Sequence, residues 1–421
     1  MNQELSLDIQ ETRAATAGGG LCEALVFRTL KKMQRGHMEI ALPDGRRWTL
    51  GKPGAEVTAR FRVRRQRFFQ RLVFFGDIGL GESYVEGDWD TEDIQGVIAW
   101  FILNIEDEPA RLGSRVKTTL VNLLRGWNRL HHRMRPNSVP VSRRNISEHY
   151  DLGNEFYALW LDPTMTYSSA IFTGPGQSLE VAQRAKYDAL CDRLRLAPGD
   201  RVLEIGCGWG GFAEHAATRH GCHITAVTIS QAQYDFARMR IQRAGLEDRV
   251  EIRLQDYRQI NGQFDKIASI EMMEALGDRY LETYFSRVHA LLAPRGLAAF
   301  QYITVPDCRH AALKRGVDWI QRHIFPGSLL LSVGRVNEAL NRTGDLFLHG
   351  LDDYGSSYAR TLQLWRDAFN AQLENVRKLG FDDRFIRKWN YYLSYCEAAF
   401  AMRNISVVQA VYTRPNNLSL P

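Results

Sequence analysis

The chain has 421 residues, 45% of them hydrophobic, and a formal net charge of +6. This length exceeds a single ordinary core, so two domains are expected, and no apolar run reaches the roughly 18 residues that a membrane-spanning helix needs. The six cysteines are scattered without a C-x-x-C pair, which argues against a metal site such as zinc and for a reducing cytoplasm.

The chain begins with a polar stretch and a small module. Residues 1–20 are polar and acidic where a signal peptide would be basic and then apolar, so they are expected to form a flexible tail. Residues 21–108 are typical of a small α+β domain. Short strands are predicted there near 25–28, 37–41 and 57–63, with helical segments after them.

Residues 109–145 form a basic connector. Between Pro109 and Ser147 there is no acidic residue, while leucines and Trp127 recur at helical spacing. A basic amphipathic helix fits an anionic membrane surface, which predicts a cytoplasmic protein held peripherally at the inner face of the membrane. The alternative, an interdomain helix with its leucines packed on the protein, is compatible with this prediction. No recognised nucleic-acid-binding motif accompanies the charge, so nucleic acid is not an expected partner.

From residue 146 to residue 421 strands alternate with helices, which predicts a doubly wound, mainly parallel α/β sheet. Its strands are predicted at 201–205, 223–228, 250–254, 264–270 and 296–302. A helical segment at 307–400 interrupts this rhythm, and its first part, about 307–350, is predicted to be a cap, with ordinary core packing as the alternative. Residues 407–413 are expected to return as an edge strand.

A glycine-rich turn, with Gly206, Gly208 and Gly210, directly follows the strand at 201–205. Glycines let the backbone adopt positive φ and approach a ligand closely, here at the carboxyl edge where doubly wound folds bind cofactors. The spacing is not the dinucleotide G-x-G-x-x-G, and no lysine follows as in a phosphate loop. The turn resembles motif I of the class I S-adenosylmethionine (SAM) methyltransferases, which implies a Rossmann-like fold and SAM as the cofactor.

Further polar residues end the neighbouring strands. Glu204 is placed to hold the methionine ammonium group of SAM. Thr228 and Gln233 stand where most class I methyltransferases have an acidic residue for the ribose hydroxyls, and Gln255 and Asp256 stand where a carboxylate can accept from the adenine amino group. An aspartate after a strand is, taken singly, more often a helix cap. As a set in this order, these residues indicate a SAM site.

Several segments together resemble the cyclopropane fatty acid synthase family. They are His149–Asn154, Asp162-Pro163, Met165–Ser168, the glycine-rich turn, Thr228–Gln233, Leu254–Arg258 and Tyr391–Leu393. Gly79–Tyr84 with Gly87–Trp89 resembles that family's N-terminal lipid-binding domain, so the resemblance spans nearly the whole chain. It implies that Tyr167 and Ser168 also surround SAM. It also implies alkylation of the cis double bond of unsaturated acyl chains within membrane phospholipids.

The resemblance further implies a bicarbonate site, from which this chain departs. The family's cyclopropane formers hold bicarbonate with a Cys, a Glu, a His, an Ile backbone and a Tyr. The matching positions here are Ser169, Glu274, Gln301, Ile303 and Tyr358. An anion in a dry site needs donors and compensating charge, and Gln301 lacks the positive charge that an imidazole can carry. The hypothesis is therefore a modified base site, with continued bicarbonate binding as the alternative.

The base decides the product of such an alkylation. Loss of a proton from the added methyl closes a cyclopropane ring, and loss from another carbon leaves a methylated or exomethylene chain; the sequence leaves both open. Aromatic faces stabilise the intermediate cation, and the candidates are Tyr167, Tyr302, Tyr358, Trp365 and Tyr392, each with core packing as the alternative.

Two other functions stay as alternatives. A small-molecule N- or O-methyltransferase would share the glycine-rich turn but would not need the upstream domain or the basic connector. A non-catalytic lipid carrier would be expected to lose the glycines, and they are intact. The oligomeric state is open, with a homodimer as one alternative, because pairing two weak membrane-binding surfaces raises avidity.

Overall fold

The computed structural model describes residues 20–105 and 152–420. The predicted basic connector at 109–145 and all but the last residue of the predicted tail lie outside these ranges. Within them, no helix combines the length and the apolar character that crossing a bilayer requires.

Residues 21–105 form a four-stranded sheet with three helices. The elements are α1 (Leu21–Leu30), β1 (His37–Ala41), β2 (Arg47–Gly51), β3 (Thr58–Val63), α2 (Arg67–Val85), β4 (Trp89–Asp90) and α3 (Ile94–Ile105). The strand order is β2-β1-β3-β4, and β1 is parallel to β3 but antiparallel to β2. Every second residue of β3 is buried, as expected for a sheet with one covered face.

The strand predicted near 25–28 is wrong, because these residues lie in the helix α1. The buried positions of this helix are Glu23, Val26, Phe27 and Leu30, a spacing of three and four residues that gives one helical face. A short apolar run does not by itself distinguish a helix from a strand. The strands predicted at 37–41 and 57–63 agree with β1 and β3, whereas β2 was not predicted.

The second domain is built on a seven-stranded sheet. Its strands are β5 (Arg201–Ile205), β6 (His223–Thr228), β7 (Val250–Leu254), β8 (Phe264–Ile270), β9 (Leu292–Thr304), β10 (Phe347–Asp353) and β11 (Ser406–Thr413). They follow the order β10-β11-β9-β8-β5-β6-β7. Strands β5 to β9 are parallel, while β11 and β10 are added antiparallel. The predicted α/β fold is confirmed.

Helices connect and cover these strands. They are α4 (Asn154–Ala158), α5 (Leu179–Leu194), α6 (Gly211–His220), α7 (Gln231–Arg243), α8 (Leu281–Leu291), α9 (Asp307–Arg315), α10 (Trp319–His323), α11 (Val333–Thr343), α12 (Gly355–Ala371), α13 (Leu373–Lys378) and α14 (Asp383–Ala401). Because β5 to β8 are parallel, their carboxyl ends meet at one edge of the sheet, which is where such folds bind ligands.

The expectation that 407–413 is the edge strand is wrong. Strand β11 lies inside the sheet, between β9 and β10, and β10 forms the edge. This edge strand falls in a segment that was predicted to be helical. Its side chains alternate only between exposed and half-buried, and its register is interrupted between Leu348 and Gly350. The strand therefore shows too little hydrophobic alternation to be found from sequence.

The Gly79–Tyr84 segment of α2 packs the small domain onto the large one. A Cβ at Gly81 would lie 2.4 Å from the Trp319 ring, so only glycine permits this approach. The Tyr84 and Tyr391 rings are 5.7 Å apart, and the Arg387 guanidinium donates to the Tyr84 carbonyl at 2.8 Å. Residues of both domains can therefore line one cavity.

Candidate active site

A cavity of about 2240 Å³ lies at the carboxyl edge of the sheet and extends to the small domain. Its wall includes the ends of β5 to β8, residues between Cys308 and Leu330, and side chains of α1 and α2 such as Leu25 and Leu72. A cavity for one drug-sized ligand measures roughly 300–1,000 Å³. This one has room for a nucleoside cofactor and a long apolar substrate together.

The glycine-rich turn forms one end of the cavity. Gly206 and Gly208 line it and have φ values of 84° and 53°, and the Gly206 and Cys207 N–H groups donate to the Val227 carbonyl at 2.9 and 3.0 Å. Gly210 is not among the lining residues. It precedes α6, and a Cβ there would lie 3.1 Å from Ala237 on α7, so it serves the packing of two helices.

Glu204 offers an unsatisfied acceptor beside this turn. Its side chain is buried, and its Oε2 has no hydrogen-bond partner among the described residues. Burial raises the pKa of Glu204 to about 8, although the Lys186 ammonium opposes that rise. Buried polar atoms are normally partnered, so a ligand ammonium at this place would satisfy the oxygen and restore its charge. The geometry fits the methionine end of SAM.

The predicted polar residues at and after the ends of β6 and β7 also line this end of the cavity. The Thr228 hydroxyl donates to Gln233 Oε1 at 2.8 Å, and Gln255 Nε2 donates to the Gln259 carbonyl at 3.1 Å. Asp256 accepts from the Arg258 N–H at 3.0 Å and from its guanidinium. Asp256 thus caps a 3₁₀ turn at the cavity wall.

Lys186 lies behind the part of the cavity wall that Ser168 forms, and no sequence motif had identified it. Tyr167 and Ser168 line the cavity, and the fully buried Lys186 ammonium donates to Ser168 Oγ at 2.7 Å. Burial lowers the pKa of Lys186 to about 7, opposed by the charges of Glu271, Asp162 and Glu204. The sequence did contain a signal for Lys186. It follows Ala182 and precedes Leu190 by four residues each, which places it on the buried face of α5.

Glu271, directly after β8, is the second residue that sequence reasoning missed. Its Oε1 accepts from the Ser169 N–H and from Gln301 Nε2, both at 2.8 Å. Its Oε2 accepts from the Tyr358 hydroxyl at 2.6 Å. Glu271 and Tyr358 line the cavity, whereas Ser169 and Gln301 lie behind them. Three of the five positions matched to bicarbonate ligands therefore donate to the Glu271 carboxylate.

The side chains of Ser169 and Gln301 are held by other groups. The Ser169 hydroxyl donates to the Ala170 carbonyl at 3.0 Å, so this residue presents its backbone N–H to Glu271. Gln301 Nε2 also donates to the Ser169 carbonyl at 3.2 Å, and Gln301 Oε1 accepts from Gln409 at 3.0 Å. Neither side chain is free to turn toward another ligand without breaking these bonds.

Glu274 has a different environment. Its Oε1 accepts from the Ile303 N–H at 2.5 Å, and its Oε2 is buried without a partner among the described residues. Burial and the negative charge of Glu271 raise the pKa of Glu274 to about 8. Burial also raises the pKa of Glu271, but three hydrogen bonds and the charge of Lys186 oppose it. Three donors favour the ionised form of Glu271, and two neighbouring carboxylates do not both ionise readily. We therefore assign the negative charge to Glu271 and the proton to Glu274 at neutral pH.

Three of the five aromatic candidates line the cavity, namely Tyr167, Tyr358 and Tyr392. The Tyr167 and Tyr392 hydroxyls are 2.6 Å apart. Tyr302 belongs to the core on the other face of β9, where its hydroxyl lies 3.3 Å from that of Tyr412. Trp365 is fully buried behind Tyr167. The aromatic candidates that reach the cavity are therefore all tyrosines.

The sequence model of the mycolic acid cyclopropane synthetase family matches residues 138–410. The chain belongs to this family. The resemblance found in the sequence is thereby confirmed, and it covers both the glycine-rich turn and the residues around Glu271 and Glu274.

Individual members of the family are similar in sequence to this protein over most of its chain. The tuberculostearic acid methyltransferase of Mycobacterium tuberculosis is 35% identical over 402 residues, which are 94% of this chain and 91% of that protein. The cyclopropane-fatty-acyl-phospholipid synthase of Escherichia coli is 34% identical over 387 residues, covering 89% and 96% of the two chains. Both a methyltransferase and a cyclopropane synthase are thus among its relatives.

A solved structure of the family shows the same fold. The mycolic acid cyclopropane synthase CmaA1, complexed with SAH and CTAB, is 28% identical, with a TM-score of 0.60 over 65% of this chain and 98% of that one. This cyclopropane synthetase family member is a SAM-dependent methyltransferase, and SAM is its cofactor, as predicted.

A prediction concerns the protonated state of Glu274 in this family member. Its pKa is raised from an ordinary value of 4.5 to about 8, so the folded state retains a proton that the unfolded state loses as pH rises. The free energy of unfolding should therefore fall through this range, by up to about 1.4 kcal/mol per pH unit. Chemical unfolding of wild type and Glu274→Gln at pH 6 and pH 8 should show the wild type losing roughly 2 kcal/mol more. Equal losses would contradict the assignment.

Proposed function

We propose that this enzyme transfers the methyl carbon of SAM to the double bond of unsaturated acyl chains in membrane phospholipids. The product is a methyl-branched, methylated or cyclopropane fatty acid. The observation that carries the proposal is that one continuous cavity joins the glycine-rich turn and Glu204 to a long apolar wall. A small-molecule methyltransferase would not need this wall.

The apolar wall comes from both domains. The large domain contributes Leu362, Phe400 and Ile405, and the small domain contributes Leu72 and Phe75. Each methylene group buried from water contributes about 0.8 kcal/mol to binding, so a long acyl chain would be held strongly here. This supports a lipid-binding role for the N-terminal domain and a covering role for residues 308–330.

The residues of the cavity suit an alkylation of a hydrocarbon. Bound SAM supplies an electrophilic methyl carbon to a double bond, which is a weak nucleophile. Holding the two partners in line can remove about 7–11 kcal/mol of barrier. The charge of Glu271 and the faces of Tyr167, Tyr358 and Tyr392 stabilise the cation that forms, since a desolvated ring contributes about 2 kcal/mol.

The fatty-acid composition of a host bacterium that expresses the protein tests this function. Mass spectrometry of hydrolysed lipids should show acids one carbon heavier than the host's unsaturated acids, formed at their expense. A host with the empty vector is the control. An unchanged composition, together with methylation of a soluble amine or hydroxyl compound, would favour the small-molecule alternative.

We also propose that the enzyme works peripherally at the anionic inner face of the membrane, in the cytoplasm. The support is the basic, leucine-rich connector at 109–145, because such segments bind anionic lipid surfaces. Cosedimentation with anionic vesicles that weakens at high salt is expected, and equal binding to neutral vesicles would contradict it. The homodimer stays a prediction.

A further inference from the structure

We propose that Glu271 provides, as a side chain of the enzyme, the anionic base that the family's cyclopropane formers obtain from bicarbonate. The inference rests on the proposed alkylation of a double bond. It assigns the proton-accepting step of that reaction to one residue, which none of the sequence motifs had singled out.

The hydrogen bonds around Glu271 leave no place for a separate anion. The Tyr358 hydroxyl has one proton and the Ser169 backbone has one N–H, and both are donated to the Glu271 carboxylate. Gln301 Nε2 donates one hydrogen bond to Glu271 and another to the Ser169 carbonyl. A bicarbonate ion would have to take donors that are already used, and a buried anion without donors is strongly destabilised.

The charges of the site also disfavour a bound bicarbonate ion. Glu274 is buried and Glu271 is half-buried at the cavity wall, and Lys186 is the cation whose charge acts on Glu271. A bicarbonate ion beside them would add another negative charge to a site where one carboxyl group is already kept protonated. The residues present do not fit bicarbonate, and they do fit a single resident carboxylate.

The backbone of Glu271 is held in an unusual conformation. Its φ is +48°, a left-handed value that costs a residue with a side chain roughly 1–2 kcal/mol. The Glu271 N–H donates to the Gln301 carbonyl at 2.7 Å, which fixes this conformation next to β9. Strain of this kind is enriched at active sites. Here the carboxylate lines the cavity and meets the Tyr358 hydroxyl.

The proposed step balances without an oxidant or a reductant. The π electrons of the double bond form the new carbon–carbon bond to the methyl group, and the carbon–sulfur bond breaks with its electrons left on sulfur. The carbocation then loses one proton to the Glu271 carboxylate. When the proton comes from the new methyl group of this cation, the electrons of that C–H bond close a cyclopropane ring. When a 1,2-hydride shift first moves the positive charge to the methyl-bearing carbon, the same proton loss forms an exomethylene double bond. Glu271 releases the proton to solvent before the next turnover.

Three forms of the full-length enzyme test the assignment, in buffer depleted of carbon dioxide and with vesicles of unsaturated phospholipid. Wild type should transfer labelled methyl from SAM equally well with and without added bicarbonate. Glu271→Gly tolerates the positive φ, removes the carboxylate and frees its donors. Its turnover should fall at least about 100-fold, and added bicarbonate should restore it at least about tenfold. Glu271→Gln should be equally slow and should not be restored, because the amide still fills the space.

Two controls accompany these variants. Titration with SAM should give wild-type affinity for all three forms, which shows that the fold is retained. Glu338→Gln, an exposed glutamate on α11, should turn over like wild type. Near-normal turnover of Glu271→Gln, or no restoration of Glu271→Gly by bicarbonate, would overturn the inference.

The outcomes also separate this inference from the proposed function. Label transfer by wild type that stops when bicarbonate is removed would refute the role of Glu271 and leave the function standing. Absence of label transfer by wild type in either buffer would refute the proposed function, and the inference with it.

Discussion

Replacing Gly206 by alanine is expected to abolish most SAM binding. Gly206 has a φ of +84°, and a Cβ there would lie 2.8 Å from the Met272 side chain. The turn must relax or Met272 must move, and both line the cavity. Because overpacking of this kind typically costs 1–3 kcal/mol, we expect isothermal titration to show a loss of SAM affinity of about 10- to 100-fold or more.

The matched control is Gly199→Ala. Gly199 has a φ of +86° but open space around its Cβ position, so this variant carries similar backbone strain outside the cavity. The positive φ should cost both variants roughly 1–2 kcal/mol of stability, to which Gly206→Ala adds the contact with Met272. Only Gly206→Ala should lose SAM affinity. Wild-type SAM affinity in Gly206→Ala would show that the glycine-rich turn does not hold the cofactor.

Tyr358→Phe is expected to slow methyl transfer by about 10- to 100-fold while SAM affinity stays unchanged. The hydroxyl donates to Glu271 Oε2 at 2.6 Å, and a hydrogen bond to a charged group contributes about 1.5–3 kcal/mol. Without this donor the pKa of Glu271, already raised by burial, should rise further. The activity that depends on its ionised form should therefore appear at higher pH, which a pH–rate profile would measure.

Tyr302→Phe is the control for this variant. Tyr302 is also a buried tyrosine with a hydroxyl partner, but it faces the core on the other side of β9. Its removal should change turnover by no more than about twofold. A pH–rate profile for Tyr358→Phe that coincides with the wild-type profile would mean that Tyr358 acts only through packing.

The parallel part of the large sheet was predictable from sequence because its strands are short, apolar and regularly separated by helices. The strands predicted at 201–205, 223–228, 250–254 and 264–270 have the same bounds as β5 to β8. Strand β10 could not be predicted, since it is largely exposed and pairs with β11, which lies more than fifty residues away. Helix α1 was predicted as a strand because a short apolar run such as Leu25–Phe27 fits either structure.

The grouping of several predicted SAM-site residues at one edge of the sheet could be predicted because they lie at the carboxyl ends of parallel strands, as Glu204 on β5 and Thr228 on β6 do. The hydrogen-bonded group around Glu271 could not be predicted from sequence, because its donors come from segments far apart in the chain. Ser169, Gln301 and Tyr358 meet only after folding, and nothing in the sequence showed that they converge on Glu271. The available signal was a carboxylate, Glu271, directly after a predicted strand in a chain that lacks the family's Cys and His at the Ser169 and Gln301 positions.

The most direct test of the central claim is to locate the methyl carbon after reaction. Purified enzyme would be incubated with SAM labelled in its methyl group and with vesicles of unsaturated phospholipid, and the lipids would then be hydrolysed. Mass spectrometry should find the label in the freed fatty acids, as one added carbon at the position of the former double bond. Label confined to head groups or to soluble compounds, with none in the hydrocarbon chains, would contradict the account.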